Sequence, residues 1–169
     1  THHDNFFNYD SACNRFNSVQ VGPHKDICTL WKKAADKHGM HFGLTEHLGA
    51  SFSWWYVNKG ADSYGPYAGV PYDGNDPEYK DFYHENQEYV DRFHPELLYS
   101  DSGLPFEEQG FEAGLEAVAY LYNDSIEQRG VQSAVYNQKD RRKEIYSIGT
   151  LDIEKSQLPG IHEEPWQTD

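Results

Sequence analysis

The chain has 169 residues, the size of one ordinary domain. Its 28 acidic residues against 14 basic ones give a formal net charge of −14, which argues against nucleic acid or an anionic membrane as partner. With 15% aromatic residues it is far too rich in rings for a solvated, disordered tail.

The first stretch, Thr1 to Val19, sets His2, His3 and Asp4 ahead of an aromatic, turn-rich loop. It lacks an initiator Met and reads as part of a longer protein, for which a periplasmic or secreted location is expected if the source is bacterial. Two cysteines, Cys13 and Cys28, are too few for a disulfide framework and are expected to be free thiols, with a single periplasmic disulfide as the alternative. No apolar run reaches the roughly 18–20 residues of a membrane-spanning helix.

Residues 24–38 carry a helix pattern: Ile27, Leu30, Trp31, Ala34 and Ala35 recur on one face, and Lys32, Lys33 and Lys37 lie outside it. Gly39 supplies the stop. Met40 to Leu44 predicts a short strand ending in Thr45-Glu46-His47. An insertion punctuated by Gly, Pro, Asn and Asp follows from about Gly49 to Pro77, and a loop that long inside a compact domain points to function. Residues 77–93 predict a second helix. Leu97–Tyr99 is a short apolar run that ends abruptly in Asp101 and a turn, the pattern of a buried strand delivering a carboxylate to its tip. Residues 108–129 predict a third helix, with Phe111, Leu115, Val118, Ala119 and Tyr122 as its inner stripe and Gly130 as its end. Ala134–Tyr136 and Ser147–Ile153 predict two more strands, with the basic run Arg141–Lys143 between them expected in a solvated loop.

Strands alternating with helices, joined by connections long enough for crossovers, predict a parallel α/β sheet. No Gly-rich phosphate loop stands at a strand-helix turn, which disfavours a nucleotide-binding sheet. Polar residues gather instead at the C-terminal ends of the strands, where a (β/α)8 (TIM) barrel keeps its active site. The whole of 1–169 is therefore read as part of a (β/α)8-like barrel, about half to two-thirds of its ~250 residues.

Four constellations carry chemistry at those ends. His2, His3 and Asp4 have no third partner at a standard metal-ligand spacing, and suit hydrogen bonds to hydroxyls better than a metal. Thr45-Glu46-His47 ends one strand and precedes Trp54 and Trp55. Tyr99-Ser100-Asp101 ends another, although an Asp beside a turn is also an ordinary turn residue. The last set is Asp152, Glu154, Glu163, Glu164 and Asp169. A retaining glycosidase needs two carboxyl groups about 5 Å apart, one as nucleophile and one as acid/base. Spacing alone does not choose the second.

Read together, the motifs resemble those of glycoside hydrolase family 29, the α-L-fucosidases. The run from His2 to Ile27, HHDNFFNYDSACNRFNSVQVGPHKDI, is similar to the family's His-His-Asp segment with its Asn-Ser and Gly-Pro. GMHFGL (Gly39–Leu44), PELLYSDSG (Pro95–Gly103) and PWQTD (Pro165–Asp169) match further family motifs in order. The resemblance implies a catalytic barrel, usually followed by a β-sandwich, and a retaining exo-hydrolase of terminal α-L-fucose that needs no cofactor and no metal. It implies Asp101 as nucleophile and His2 and His3 as the pair holding sugar hydroxyls. His47, Trp55, Tyr99 and Trp166 are then expected to line the pocket, Tyr99 standing where many members have Trp. At the family's Trp-Glu position this chain has Gln167, which cannot act as an acid, so Glu154 is expected as acid/base, with Glu164 as the rival. Lys139 or Asp140 stands where some members carry Arg.

The expected partner is a fucosylated oligosaccharide or glycoconjugate; a homo-oligomer is one open option. An α-L-galactosidase is an alternative, because an apolar pocket rejects an added hydroxyl only about 10²-fold. A non-catalytic carbohydrate-binding protein and, from the nine histidines, a metal-dependent hydrolase are the readings from other classes.

Overall fold

The computed structural model describes residues 6–12, 14, 16–47, 82–104, 111–142, 145 and 147–168. Among these, the frame is a parallel sheet of five short strands: β1 (Gly43–Glu46), β2 (Leu97–Ser100), β3 (Val135–Gln138), β4 (Thr150–Asp152) and β5 (Trp166–Gln167). Their spatial order is their chain order. Helix α1 (Ile27–Lys37) precedes β1, α2 (Phe82–Phe93) joins β1 to β2, and α3 (Phe111–Arg129) joins β2 to β3. A sheet that adds each strand beside the last, with helical crossovers, is the construction of a barrel wall.

Strand geometry divides the sheet into two faces, because side chains alternate and parallel partners in register point the same way. One face carries Leu44, Leu98, Tyr136 and Leu151. Leu98 and Tyr136 pack with Val90 and Phe93 of α2 and Val118 and Leu121 of α3, so this face is the helix side and holds the core. Fully burying Leu121 or Phe93 contributes about 1.5–3 kcal/mol each. Register then assigns Thr45, Tyr99, Asn137 and Thr150 to the opposite face.

The helices stop as the sequence predicts. Asp26 caps α1 by accepting the Thr29 N–H at 2.8 Å, and Gly39 and Gly130 both take positive φ (63° and 75°) just after α1 and α3. A Cβ there would be strained in that left-handed conformation.

Several boundaries differ from expectation. The first strand starts at Gly43 rather than Met40, and the third runs over Val135–Gln138 rather than Ala134–Tyr136. The fourth is confined to Thr150–Asp152, and β5 is an element the sequence did not announce. In α3 the buried stripe is Ala117, Val118, Leu121, Asp124 and Ser125, while Ala119 is exposed: the helix is rotated by polar groups that the apolar pattern ignores. In α1 no residue is buried, with Leu30 52% and Trp31 67% exposed. β1 is the edge strand among the described residues, so α1 has little sheet beneath its apolar stripe, and a cleft lined by Phe7, Tyr9, Cys28, Trp31, Phe42 and Leu44 separates them. Cys28 is a free thiol, and burial pushes its pKa up to about 11. Arg142, expected in a solvated basic run, forms an ion pair with Asp140. The insertion from Gly49 to Pro77 lies outside the described residues.

Candidate active site

Strand alternation continues past the C-terminal tips. The Asp101 N–H donates to the Glu46 carbonyl at 2.9 Å and the Lys139 N–H to the Ser102 carbonyl at 2.8 Å, so the ladder holds beyond the strand ends. Two-residue steps therefore carry the face opposite the helices from Thr45 to His47, from Tyr99 to Asp101, from Asn137 to Lys139 and from Asp152 to Glu154. Four adjacent strands deliver His47, Asp101, Lys139 and Glu154 to one rim.

Asp101 is the centre of that rim. Lys139 Nζ lies 2.6 Å from Asp101 Oδ1 and 3.4 Å from Glu154 Oε2. Through this one ammonium the contacting oxygens of Asp101 and Glu154 lie at most about 6 Å apart, near the separation of a retaining carboxyl pair. His47 Nδ1 stands 3.6 Å from Asp101 Oδ2, and the Tyr99 hydroxyl 3.3 Å from Oδ1. The Asp101 side chain is 27% exposed, and Glu154 is 51% exposed and also touches Lys155 at 3.4 Å.

The electrostatics follow from these contacts. Burial alone would raise the Asp101 carboxyl, but the hydrogen bond and charge of Lys139, the His47 ring and the Tyr99 hydroxyl together hold it below the usual carboxylate range. Burial likewise disfavours the Lys139 ammonium, yet its bonds to Asp101 and Tyr99 raise its pKa well above that of a free lysine. The Tyr99 phenol is pushed upward by burial and by its bond to Asp152. At neutral pH the rim thus presents a carboxylate clamped by an ammonium, with a neutral phenol beside it.

The predicted site residues are placed as follows. Asp101, His47, Tyr99 and Glu154 come together around Lys139. Trp166 pairs in register with Leu151, on the strand face opposite Asp101, and is not brought to this group; Gln167 pairs with Asp152 and shares the Asp101 face instead. Glu163 and Glu164 are exposed ahead of β5. His2, His3 and Trp55 lie outside the described residues. Two groups beside Asp101 and Tyr99 stand out less in the sequence. Lys139 was matched only loosely to an Arg position, and Asp152 was one carboxylate among five. For Lys139 the signal was period two along its own strand, hidden by ending the third strand at Tyr136. Among the described residues no group of three His, Cys, Asp or Glu side chains could hold a metal ion.

No curated protein matches the chain. Solved structures do. A Thermotoga maritima alpha-fucosidase in complex with fucose aligns with 99% of this chain and 35% of its own at 19% identity, with a TM-score of 0.64. A structure described as alpha-L-fucosidase aligns at 22% identity and TM-score 0.67, again over 99% of this chain and 35% of its own. A bacterial fucosidase with a monovalent iminocyclitol inhibitor aligns at 13% identity and TM-score 0.60, over 99% of this chain and 39% of its own. This chain thus spans about a third of the length of these proteins, and the likeness gives it the fold of the corresponding part of a TIM-barrel catalytic domain. The family described as Alpha-L-fucosidase matches residues 1–169, the full chain, and the protein therefore belongs to that family.

Proposed function

We propose that the complete protein is an exo-glycosidase that releases terminal α-L-fucose from a fucosylated oligosaccharide or glycoconjugate with retention of configuration. The observation that carries this is the Lys139 ammonium touching both Asp101 and Glu154. It supports two carboxyl groups whose contacting oxygens lie at most about 6 Å apart, near the short separation of a double displacement. Family membership supports the sugar, as does the fucose bound in one Thermotoga maritima neighbour.

In the first step an Asp101 carboxylate oxygen attacks the anomeric carbon, the glycosidic C–O bond breaks, and Glu154 gives its proton to the departing oxygen. A glycosyl ester of Asp101 results. In the second, Glu154 takes a proton from water, the water oxygen attacks the anomeric carbon, and the ester bond breaks to restore the Asp101 carboxylate. His47 and Tyr99 flank the nucleophile; His2, His3 and Trp55 complete the proposed sugar pocket. No cofactor enters either step.

Two variants of the complete protein test the assignment on an aryl α-L-fucoside. Asp101→Gly is expected to lower kcat about 10³-fold or more, with azide restoring turnover to give the inverted fucosyl azide. Glu154→Ala is expected to slow substrates with poor leaving groups most, with azide giving the retained product. Wild-type hydrolysis by Asp101→Gly would sink the nucleophile, and azide rescue in Glu164→Ala instead would move the acid/base. Sugar binding without any turnover by the unmodified protein would leave a carbohydrate-binding role in its place.

A further inference from the structure

Asp152 is 1% exposed, yet it stands on the Asp101 face of the sheet, at the end of β4. Its Oδ2 accepts the Tyr99 hydroxyl at 2.5 Å, and its Oδ1 is buried with no hydrogen-bond partner among the described residues. A buried carboxylate with one oxygen unserved is expensive to keep. The core supplies no reason for it, since the apolar cluster lies on the other face. The bond it makes does. Tyr99 has a single hydroxyl hydrogen and two carboxylates within reach, Asp152 at 2.5 Å and Asp101 at 3.3 Å. The shorter contact takes the hydrogen. The phenol oxygen is then left to accept from Lys139, whose ammonium also bonds Asp101.

We propose that Asp152 and Tyr99 form a positioning pair for the nucleophile: Asp152 draws the Tyr99 hydrogen away from Asp101, so that Tyr99 presents a lone pair to Lys139 and helps seat the ammonium on Asp101. The pair acts through Lys139 and touches no reacting bond. It rests on Asp101 being the nucleophile. Held this way, Asp101 is ionised by an ammonium and spared a strong hydrogen bond from Tyr99, which preserves its nucleophilicity.

The charged and titratable groups facing Asp101 among the described residues are His47 after β1, Tyr99 in β2, Lys139 after β3, and Asp152 and Glu154 at and after β4. With these fixed, the two halves of the pair predict opposite signs. Tyr99→Phe removes the remaining weak donor to Asp101 and the acceptor that seats Lys139, so the acid limb of kcat/KM moves up by about one pH unit. Asp152→Asn withdraws the carboxylate that captures the hydrogen. The Tyr99 hydroxyl then turns to Asp101, the acid limb moves down, and kcat falls about tenfold with KM nearly unchanged as the over-stabilised carboxylate attacks more slowly. In the Tyr99→Phe background Asp152→Asn should move the limb less than it does in the wild type, because only the loss of the Asp152 charge then remains.

The measurement is the pH profile of fucoside hydrolysis by the complete protein. Limbs unmoved in both variants, or moved the same way, overturn the pair while Asp101→Gly, still inactive, keeps the nucleophile. Full activity in Asp101→Gly removes both. If Asp152→Asn yields no folded protein, Tyr99→Phe decides alone, and an acid limb at the wild-type pH overturns the pair.

Discussion

The two ends of the sheet each bring a histidine to an aspartate, and only one of them shares that aspartate with groups from several strands. At the C-terminal end His47 stands 3.6 Å from Asp101, a carboxylate partly open to solvent and shared with Lys139, Tyr99 and, through Lys139, Glu154. At the N-terminal end His94 bonds Asp124 at 2.8 Å, but Asp124 is buried on α3, and Arg129 of the same helix reaches back to the His94 carbonyl at 3.2 Å. There the polar groups tie the α2–β2 turn, with His94 at φ 45°, to the helix beside it. Ser125 completes the tie by accepting the Ser133 and Ala134 N–H groups at 2.8 and 3.1 Å. Proximity of a His and an Asp is therefore not the sign of a site. What separates the ends is an accessible carboxylate whose charge is shared by groups from several strands, the division of labour expected of a barrel's two rims.

That contrast can be broken from either end. The largest effect is expected from Lys139→Gln. It removes the charge that overrides the burial of Asp101, so the carboxyl pKa rises and activity is lost at a higher pH as the solution is acidified. At neutral pH kcat/KM should fall about 10²-fold, partly restored in Lys139→Arg, with unfolding free energy nearly unchanged. A pH profile whose acid limb does not move would show that Lys139 is not what holds Asp101 ionised. Next is Ser125→Ala, which strands the buried Ala134 N–H and frees the part-buried Ser133 N–H to solvent, and should lower unfolding free energy by about 1–3 kcal/mol in denaturant titration. Activity per folded molecule should not change. The smallest is His94→Ala, which leaves Asp124 without its donor. A loss of about 1–2 kcal/mol is expected, reduced because the His94 ring is partly exposed. A change in kcat in either of the last two variants would erase the distinction between the ends.

Much of this was legible in the residues. The abrupt stop of Leu97-Leu98-Tyr99 at Asp101 gave both the strand and its carboxylate, and the helix stops at Gly39 and Gly130 fell where glycines take positive φ. What was not legible came from two physical causes. Buried polar side chains carry no apolar period: Asn137 and Gln138 sit inside β3, and Asp124 and Ser125 inside the stripe of α3, so elements drawn from hydrophobic residues alone were cut short or turned. And the faces of neighbouring strands are set by register, a long-range quantity. A local reading could not tell that Gln167, rather than Trp166, shares a face with Asp101.

The spatial order of the strands also bears on how the rim is made. Because β1 to β5 are neighbours in the order in which they are synthesised, each of these described strands finds an edge to pair with, and none of them has to be inserted between two that came before. Asp101 emerges first and waits for Lys139, which arrives only when β3 docks, and Glu154 comes with β4. The site is assembled by accretion along the growing chain. A pause in translation after α3 would leave Asp101 with His47 and Tyr99 but without Lys139 and Glu154.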